Sequence, residues 1–154
     1  MNPEKSNKDY KKIYYKYKNK YLEKKKIEDN LNENKIYSNN YIAKSTILNG
    51  GYGVFANKDY KNGDIVEKNK FLEYIDNKSG LENYKFKSHK DGTKSLIVLG
   101  NGCMFNHNDN NNLDFYHSND FITYKATRDI KKDEELFIYY GDNWFITRNF
   151  TKKS

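Results

Sequence analysis

Leu99-Gly-Asn-Gly-Cys-Met-Phe-Asn-His-Asn-Asp-Asn-Asn-Asn112 and, further on, Glu134-Glu-Leu-Phe-Ile-Tyr-Tyr-Gly141 are the stretches that decide this chain's fold. The first carries a short run ending in the polar pair Asn106-His107 and then dissolves into amides. The second is an apolar, β-type run that ends in two tyrosines and a glycine. A third stretch lies upstream, Gly50-Gly-Tyr-Gly-Val-Phe-Ala56, where glycines pass directly into another β-type run. Each has a plain structural explanation when taken singly: a hydrogen-bonded buried pair, two ordinary strand aromatics among fifteen tyrosines, and a tight hairpin turn. Their order and spacing along one chain is what carries information.

The glycines fit neither common nucleotide loop. Gly51-Tyr-Gly53 lacks the third glycine of a dinucleotide fingerprint and leads into Val-Phe-Ala rather than a helix, and no Gly-Lys-Ser/Thr follows for a phosphate loop. Glycine does offer a backbone that a ligand can approach closely. His107 lacks the companions of a metal site. The only other histidines are His89 and His117, the single cysteine is Cys103, placed here in a strand, and no zinc-ligand spacing occurs.

Composition bounds the rest. The 154 residues suffice for one domain and a short appendage, and one cysteine rules out an internal disulfide framework, which favours a reducing, intracellular compartment. No apolar run reaches membrane-span length, and the N-terminus lacks a signal-peptide core, so no membrane partner is expected. The net charge of +7 points to acidic partners such as nucleic acid or chromatin, although Lys, Asn, Ile, Tyr and Phe are also what A/T-rich codons supply. Residues 1–35 hold eleven Lys against six acids, so only +2 belongs to the rest of the chain.

That leading segment lacks glycine, and its one proline is Pro3. Tyr10, Ile13, Tyr14, Tyr17, Tyr21, Ile27 and Leu31 share one helical face with lysines over most of the remainder, which predicts a basic amphipathic helix over roughly residues 8–32. Three roles fit it: a Tyr stripe docked on the domain or on a second copy in a homodimer, a basic arm for DNA or the nucleosome, or a disordered tail. Asn30–Asn40 reads as the linker. From Tyr41 the period becomes that of strands, at Ile42–Leu48, Gly53–Ala56, Ile65–Glu67, Ser95–Leu99, Phe121–Ala126 and Leu136–Tyr140, with turns at Asn49-Gly-Gly and Asn62-Gly-Asp. No long helical pattern survives. The organisation is therefore a helix and linker over 1–40, a mostly β domain of small sheets over 41–145, and a tail over 146–154. Periodicity alone does not supply the topology.

Over Ser45–Phe145 the chain resembles SET-domain protein lysine methyltransferases, most of all the compact viral histone methyltransferases and short bacterial SET proteins. The likeness rests on Gly50–Ala56, Asn62-Gly-Asp-Ile-Val-Glu67, Glu82-Asn-Tyr-Lys-Phe86, Leu99–His107, Ala126-Thr-Arg-Asp-Ile130, Glu134-Glu-Leu and Tyr140-Gly141. It implies a β-clip fold of small curved sheets with a C-terminal pseudoknot that brings Asn106-His107 beside Tyr140. It implies S-adenosylmethionine as cofactor, no metal, and a lysine of a histone tail or another protein as substrate, entering from the opposite face. A location in a host nucleus, viral factory or virion would follow for a viral protein.

By position, Gly51, Tyr52 and Gly53 would line the methionine part of the cofactor. Asn106 would hold its polar groups, His107 backbone would contact its adenine, and Trp144 or Phe145 would cover that base. Tyr140 would be the catalytic tyrosine and a cofactor contact, with Tyr84 and Tyr52 as further catalytic-site tyrosines. Tyr84, Phe105 and Tyr139 would wall the lysine channel. The chain departs from the family pattern at Asn108 for Ser, Asn111 for Pro and Asp133 for Gly, and it lacks the cysteines of a post-SET zinc segment. The competing reading is an inactive SET-like peptide- or chromatin-binding module with a basic nucleic-acid-binding arm.

Overall fold

The computed structural model describes residues 14–26, 37–75, 81–88, 90–118 and 120–152. The chain divides into two units, Met1–Lys35 and Ile36–Ser154. In the first, residues 14–26 form helix α1, in keeping with the amphipathic period. Lys18 places its ammonium 5.8 Å from the Tyr14 ring centroid, an i,i+4 pair. Tyr10, Ile13, Ile27 and Leu31 lie outside the described residues. No helix among the described residues is long and apolar enough to cross a membrane.

The second unit is mostly β. Its strands are β1 (Tyr37–Ser38), β2 (Tyr41–Lys44), β3 (Tyr52–Phe55), β4 (Ile65–Ile75), β5 (Lys85–Lys87), β6 (Lys94–Val98), β7 (Asn106–His107), β8 (Leu113–His117), β9 (Phe121–Ala126) and β10 (Glu135–Ile138). A 3₁₀ turn spans Gly100–Cys103 and helix α2 spans Asp142–Arg148. One sheet runs β5-β6-β4-β9-β8, with β1 also on β4; the other runs β2-β3-β10-β7.

Three short elements stand where sequence pattern pointed elsewhere. Cys103 lies in the 3₁₀ turn, not in a strand. β1 pairs with β4 inside the expected linker. Asn40, placed at the end of that linker, is bound into the domain: its amide donates to the Val66 carbonyl (3.2 Å) and Glu67 (3.0 Å), and its oxygen accepts from the Tyr60 hydroxyl (2.8 Å). Helix α2 runs across the expected edge at Phe145 and ends at Asn149, whose left-handed φ of 54° closes the last turn with bonds back to Ile146 and Phe145. Trp, Phe, Ile and Thr are indifferent helix formers, so packing rather than propensity holds these two turns.

The core lies between the two sheets. Val54, Leu96, Leu113, Ile122, Leu136 and Ile138 are all buried, as are Phe105 and Tyr124, whose rings meet at 4.7 Å. β8 shows alternation of the expected kind, with Leu113, Phe115 and His117 turned inward and Asp114 and Tyr116 outward. β4 is longer than its apolar start because its middle is polar yet buried: Glu67 and Asn69 are almost fully enclosed. Glu67 accepts from Asn40, Asn69 and Asn101, so amide donors satisfy the carboxylate as burial demands. Gly102 allows this packing, since a Cβ there would meet Val98 at 2.5 Å and Asn69 at 2.8 Å.

Tyr124 donates from its buried hydroxyl to the Gly102 carbonyl at 2.8 Å, pinning the 3₁₀ turn to the core. Burial holds this phenol well above its ordinary pKa, so it remains a donor at every working pH. Tyr124→Phe should lower unfolding free energy by about 1–2 kcal/mol, because the carbonyl loses its partner in a dry site. Urea denaturation with an unchanged m-value is the check.

Candidate active site

β10 is the element that builds the site. It lies between β3 and β7, antiparallel to the first and parallel to the second, with Phe137 opposite Asn106 and Ile138 opposite His107. A loop over residues 108–112 follows β7 and is sewn to β10 by the fully buried Asn112. The Asn112 oxygen accepts from Phe137 N (2.8 Å), and its amide donates to the carbonyl of Glu135 (2.8 Å) and to Glu134 (3.2 Å). The expected knot-like junction is thus present, and it brings Tyr140 to His107. Tyr140 N donates to His107 Nδ1 at 3.2 Å.

That bond leaves the remaining imidazole proton on Nε2, which faces Asp109 at 3.3 Å. Burial lowers the His107 pKa, with Asp109 opposing the shift, so the ring stays neutral and continues to accept from Tyr140. Tyr140 itself packs on Trp144 (4.7 Å), His107 (5.5 Å) and Phe145 (6.2 Å). Its hydroxyl donates to the Phe105 carbonyl at 2.6 Å, and burial pushes its pKa up to about 12. Tyr140 is therefore a neutral phenol whose proton is committed and whose oxygen still has acceptor capacity.

Two cavities meet at this tyrosine. One, of about 400 Å³, is lined by Gly51, Tyr52, Asn106, His107, Tyr140, Trp144 and Phe145, with Phe150 and Thr151 beyond. The other, of about 740 Å³, has Tyr84, Phe105, Tyr139 and Tyr140 on its wall. Asn83, Tyr84, Cys103, Tyr140 and Trp144 border both. The candidate residues thus gather as two groups with Tyr140 and Tyr84 between them. Tyr52 touches only the first cavity. Tyr139 is partly exposed and donates to Asp142 at 2.9 Å.

Gly53 is the exception, since it lies behind the wall. A Cβ there would fall 2.0 Å from Glu135 Oε1, so its lack of a side chain makes room for a buried carboxylate. Glu135 is the organising residue that sequence reasoning passed over, although it sits inside a quoted motif. It accepts from the Ser45 hydroxyl (2.8 Å), from Thr46 N (2.6 Å) and its hydroxyl (2.5 Å), and from the Asn106 amide (3.1 Å). The same Asn106 amide donates to the Tyr52 carbonyl at 3.0 Å. Both amide protons of Asn106 are therefore committed internally, and its Oδ1 is left as an acceptor on the cavity wall.

The unusual positions resolve locally. Asp133 holds a left-handed φ of 67°, the conformation that glycine favours, with its N–H on the Ala56 carbonyl (2.7 Å) and its carboxylate accepting from Tyr41 (2.8 Å). Asn108 accepts from Asn110 N, and Asn111 donates to the Leu113 carbonyl, both at 2.8 Å, so local side-chain bonds shape the loop. Among the described residues, no group of three or more His, Cys, Asp or Glu is placed to hold a metal.

A family model described as "SET domain" matches residues 51–141, more than half of the chain. The chain belongs to the SET-domain family. A Plasmodium falciparum protein named provisionally as a histone methyltransferase is 29% identical; the match covers 66% of this chain and 96% of that one, with a TM-score of 0.55. Polycomb repressive complex 2 of Chaetomium thermophilum contains a chain 24% identical, covering 68% of this chain and 15% of that one at a TM-score of 0.54. An autoinhibited form of that complex bound to S-adenosylmethionine matches at 22% identity and a TM-score of 0.54, over 71% of this chain and 17% of the other. The polycomb likenesses show the shared fold, and this chain spans only a small part of those proteins. No curated protein matches the sequence.

Within this SET domain, Glu135→Gln should disturb the site without emptying it, since the amide retains size but presents donors to Asn106 and Thr46. A loss of about 2–3 kcal/mol in unfolding free energy is expected, the range for hydrogen bonds to a charged group. Gly53→Ala should fail in the same way because its methyl displaces the same carboxylate. Chemical denaturation of both variants checks this, and wild-type stability in either would refute the role given to Glu135.

Proposed function

We propose that the chain is a protein-lysine N-methyltransferase using S-adenosylmethionine, with Tyr140 at the reacting centre. The observation that carries this reading is the meeting of two cavities at Tyr140 and Tyr84, one walled by Gly51, Asn106 and the rings of Tyr52, Trp144 and Phe145 among others, the other by tyrosine and phenylalanine. Membership of the SET family and the SET-like Plasmodium relative support it.

The first cavity suits the methyl donor. Gly51 has a φ of 73° and open space where a Cβ would stand, so main chain can be approached there. Asn106 keeps an acceptor oxygen in reserve for a positively charged group of the donor, and Phe145 and Phe150 line the same cavity as apolar partners for an aromatic base. S-adenosylmethionine would supply a methyl group on a sulfonium, an electrophile that needs no metal. The chain's own residues have to supply the right form and direction of the nucleophile.

A lysine ammonium has a pKa near 10.4, so roughly one in a few thousand is neutral at pH 7. Passage between Tyr84, Phe105 and Tyr140 desolvates the ammonium and favours the amine. No carboxylate is needed as a base, and Tyr140 is not one, because its own proton is held up to about 12 and donated to the Phe105 carbonyl. Its oxygen acts as an acceptor that aligns the incoming amine, a positioning effect that is effective because the surrounding rings and His107 fix the phenol.

A histone lysine is the substrate that the relatives' names suggest, and lysines of other proteins fall under the same reading. Incubation of the purified protein with labelled S-adenosylmethionine and histones or lysate should place label on lysine. Calorimetry with a chelator present should show binding of the unlabelled donor, and no binding at millimolar donor would overturn the proposal. Tyr140→Phe should change donor affinity by less than tenfold but lower turnover by about 10²–10³, the loss usual for one positioned polar group. Wild-type turnover should rise with pH as the substrate lysine deprotonates, and should not fall where a phenol would ordinarily ionise near pH 10.

A further inference from the structure

The second cavity has a charge pattern that the chemistry of methyl transfer does not explain. Its rim carries Lys85, Lys87, Lys94 and Arg148 against a single carboxylate, Glu82. Two of these cations are matched by carboxylates: Lys85 by Glu82, and Lys94 by Glu73 (3.2 Å) and Asp91 (3.7 Å). The other two have no carboxylate partner among the described residues. Arg148 donates to the main-chain carbonyl of Glu82 (2.6 and 3.1 Å) and lies 4.7 Å over the Trp144 ring, so its position is secured while no carboxylate among the described residues pairs with it. Lys87 is exposed at the end of β5 and has no carboxylate partner among the described residues. The floor between them is apolar, with Phe86 and Phe115 in edge contact at 5.4 Å.

We propose that this cleft selects lysines flanked by acidic residues, taking a protein segment whose Asp or Glu side chains meet Lys87 and Arg148. The proposal rests on the reading of the chain as a protein-lysine methyltransferase and, within the lysines that reading admits, favours those of acidic segments over those of basic tails. Two physical effects converge on it. Unpaired cations on the rim repel a segment rich in Lys or Arg and attract carboxylates. Acidic neighbours ordinarily stabilise a lysine's ammonium and oppose its deprotonation, and pairing them with Lys87 and Arg148 removes that opposition. A flat or acidic rim would do neither.

The test uses the full chain and short fluorescent peptides with one central lysine flanked by Asp/Glu, by Ser/Gly or by Lys/Arg. Binding is read by anisotropy at low and high salt, and methyl incorporation is read in parallel. Acidic-flanked peptides should bind about tenfold more tightly than basic-flanked ones at low salt, and the gap should shrink as salt rises. Lys87→Glu should narrow or invert the order, while replacing Lys16, Lys18, Lys20 and Lys24 of α1 by Gln should leave it intact. Equal or tighter binding of basic-flanked peptides, an order unchanged by Lys87→Glu, or an order lost only with the α1 lysines would each overturn the proposal. Absence of methyl incorporation into every peptide would instead count against the methyltransferase reading, since the binding order is measured without turnover.

Discussion

The parallel pairing of β10 with β7 is the constraint on which the site depends. Parallel neighbours cannot be joined by a hairpin, so the chain must make the whole excursion through β8 and β9 before Phe137 can meet Asn106. The buried Asn112 makes that return specific. Its one amide group serves the backbone on both sides of Leu136, with Phe137 N as donor and the Glu135 carbonyl as acceptor. A register slip of one residue would turn Leu136 and Ile138 out of the core and unpair this amide together. Tyr140 is in place only because β10 is.

Around that junction, polar groups do the positioning and aromatic groups form the walls. Glu135 collects the Ser45–Thr46 loop and the Asn106 amide on one carboxylate, so the segment leading to Gly51 and the side chain of Asn106 are set by the same group. His107 ties the end of β7 to the start of the Tyr140 segment, and its neutrality follows from burial. Such a network is costly when partly satisfied and specific when complete. The second buried carboxylate, Glu67, organises the β4 side in the same manner through Asn40, Asn69 and Asn101. A chain rich in asparagine thus uses amides where a more apolar protein would use packing alone.

Much of this was legible beforehand. The pattern of Phe121–Ala126 matches its observed bounds, and those of Tyr52–Phe55 and Lys94–Val98 fall within a residue or two, because their apolar residues are contiguous and bounded by turn formers. β5 and β8 have no clear local signal. Lys85-Phe-Lys87 offers one apolar residue, and Leu113–His117 emerges from an asparagine run. α2 has none either, since seven residues of middling propensity become helical only when Trp144 and Phe145 pack beside Tyr140. Gly53 and Glu135 were both in view, but nothing in the sequence shows that one leaves room for the other.

The sequence by itself determined the chemistry on offer: neutral amides, phenols and glycines in a fixed order, with no cysteine or histidine set for a metal and a basic leading segment. Those are properties of residue type, and local pattern transmits them directly. Tertiary structure decided which of them meet. It placed Asn106 and Tyr140 on one wall, withdrew Gly53 behind it, committed the proton of Tyr140 to the Phe105 carbonyl, and set Lys87 and Arg148 beside the second cavity with no carboxylate partner among the described residues. The physical reason is that each of these depends on a contact between segments far apart in the chain. Such contacts arise from burial and long-range hydrogen bonding, neither of which has a local signature.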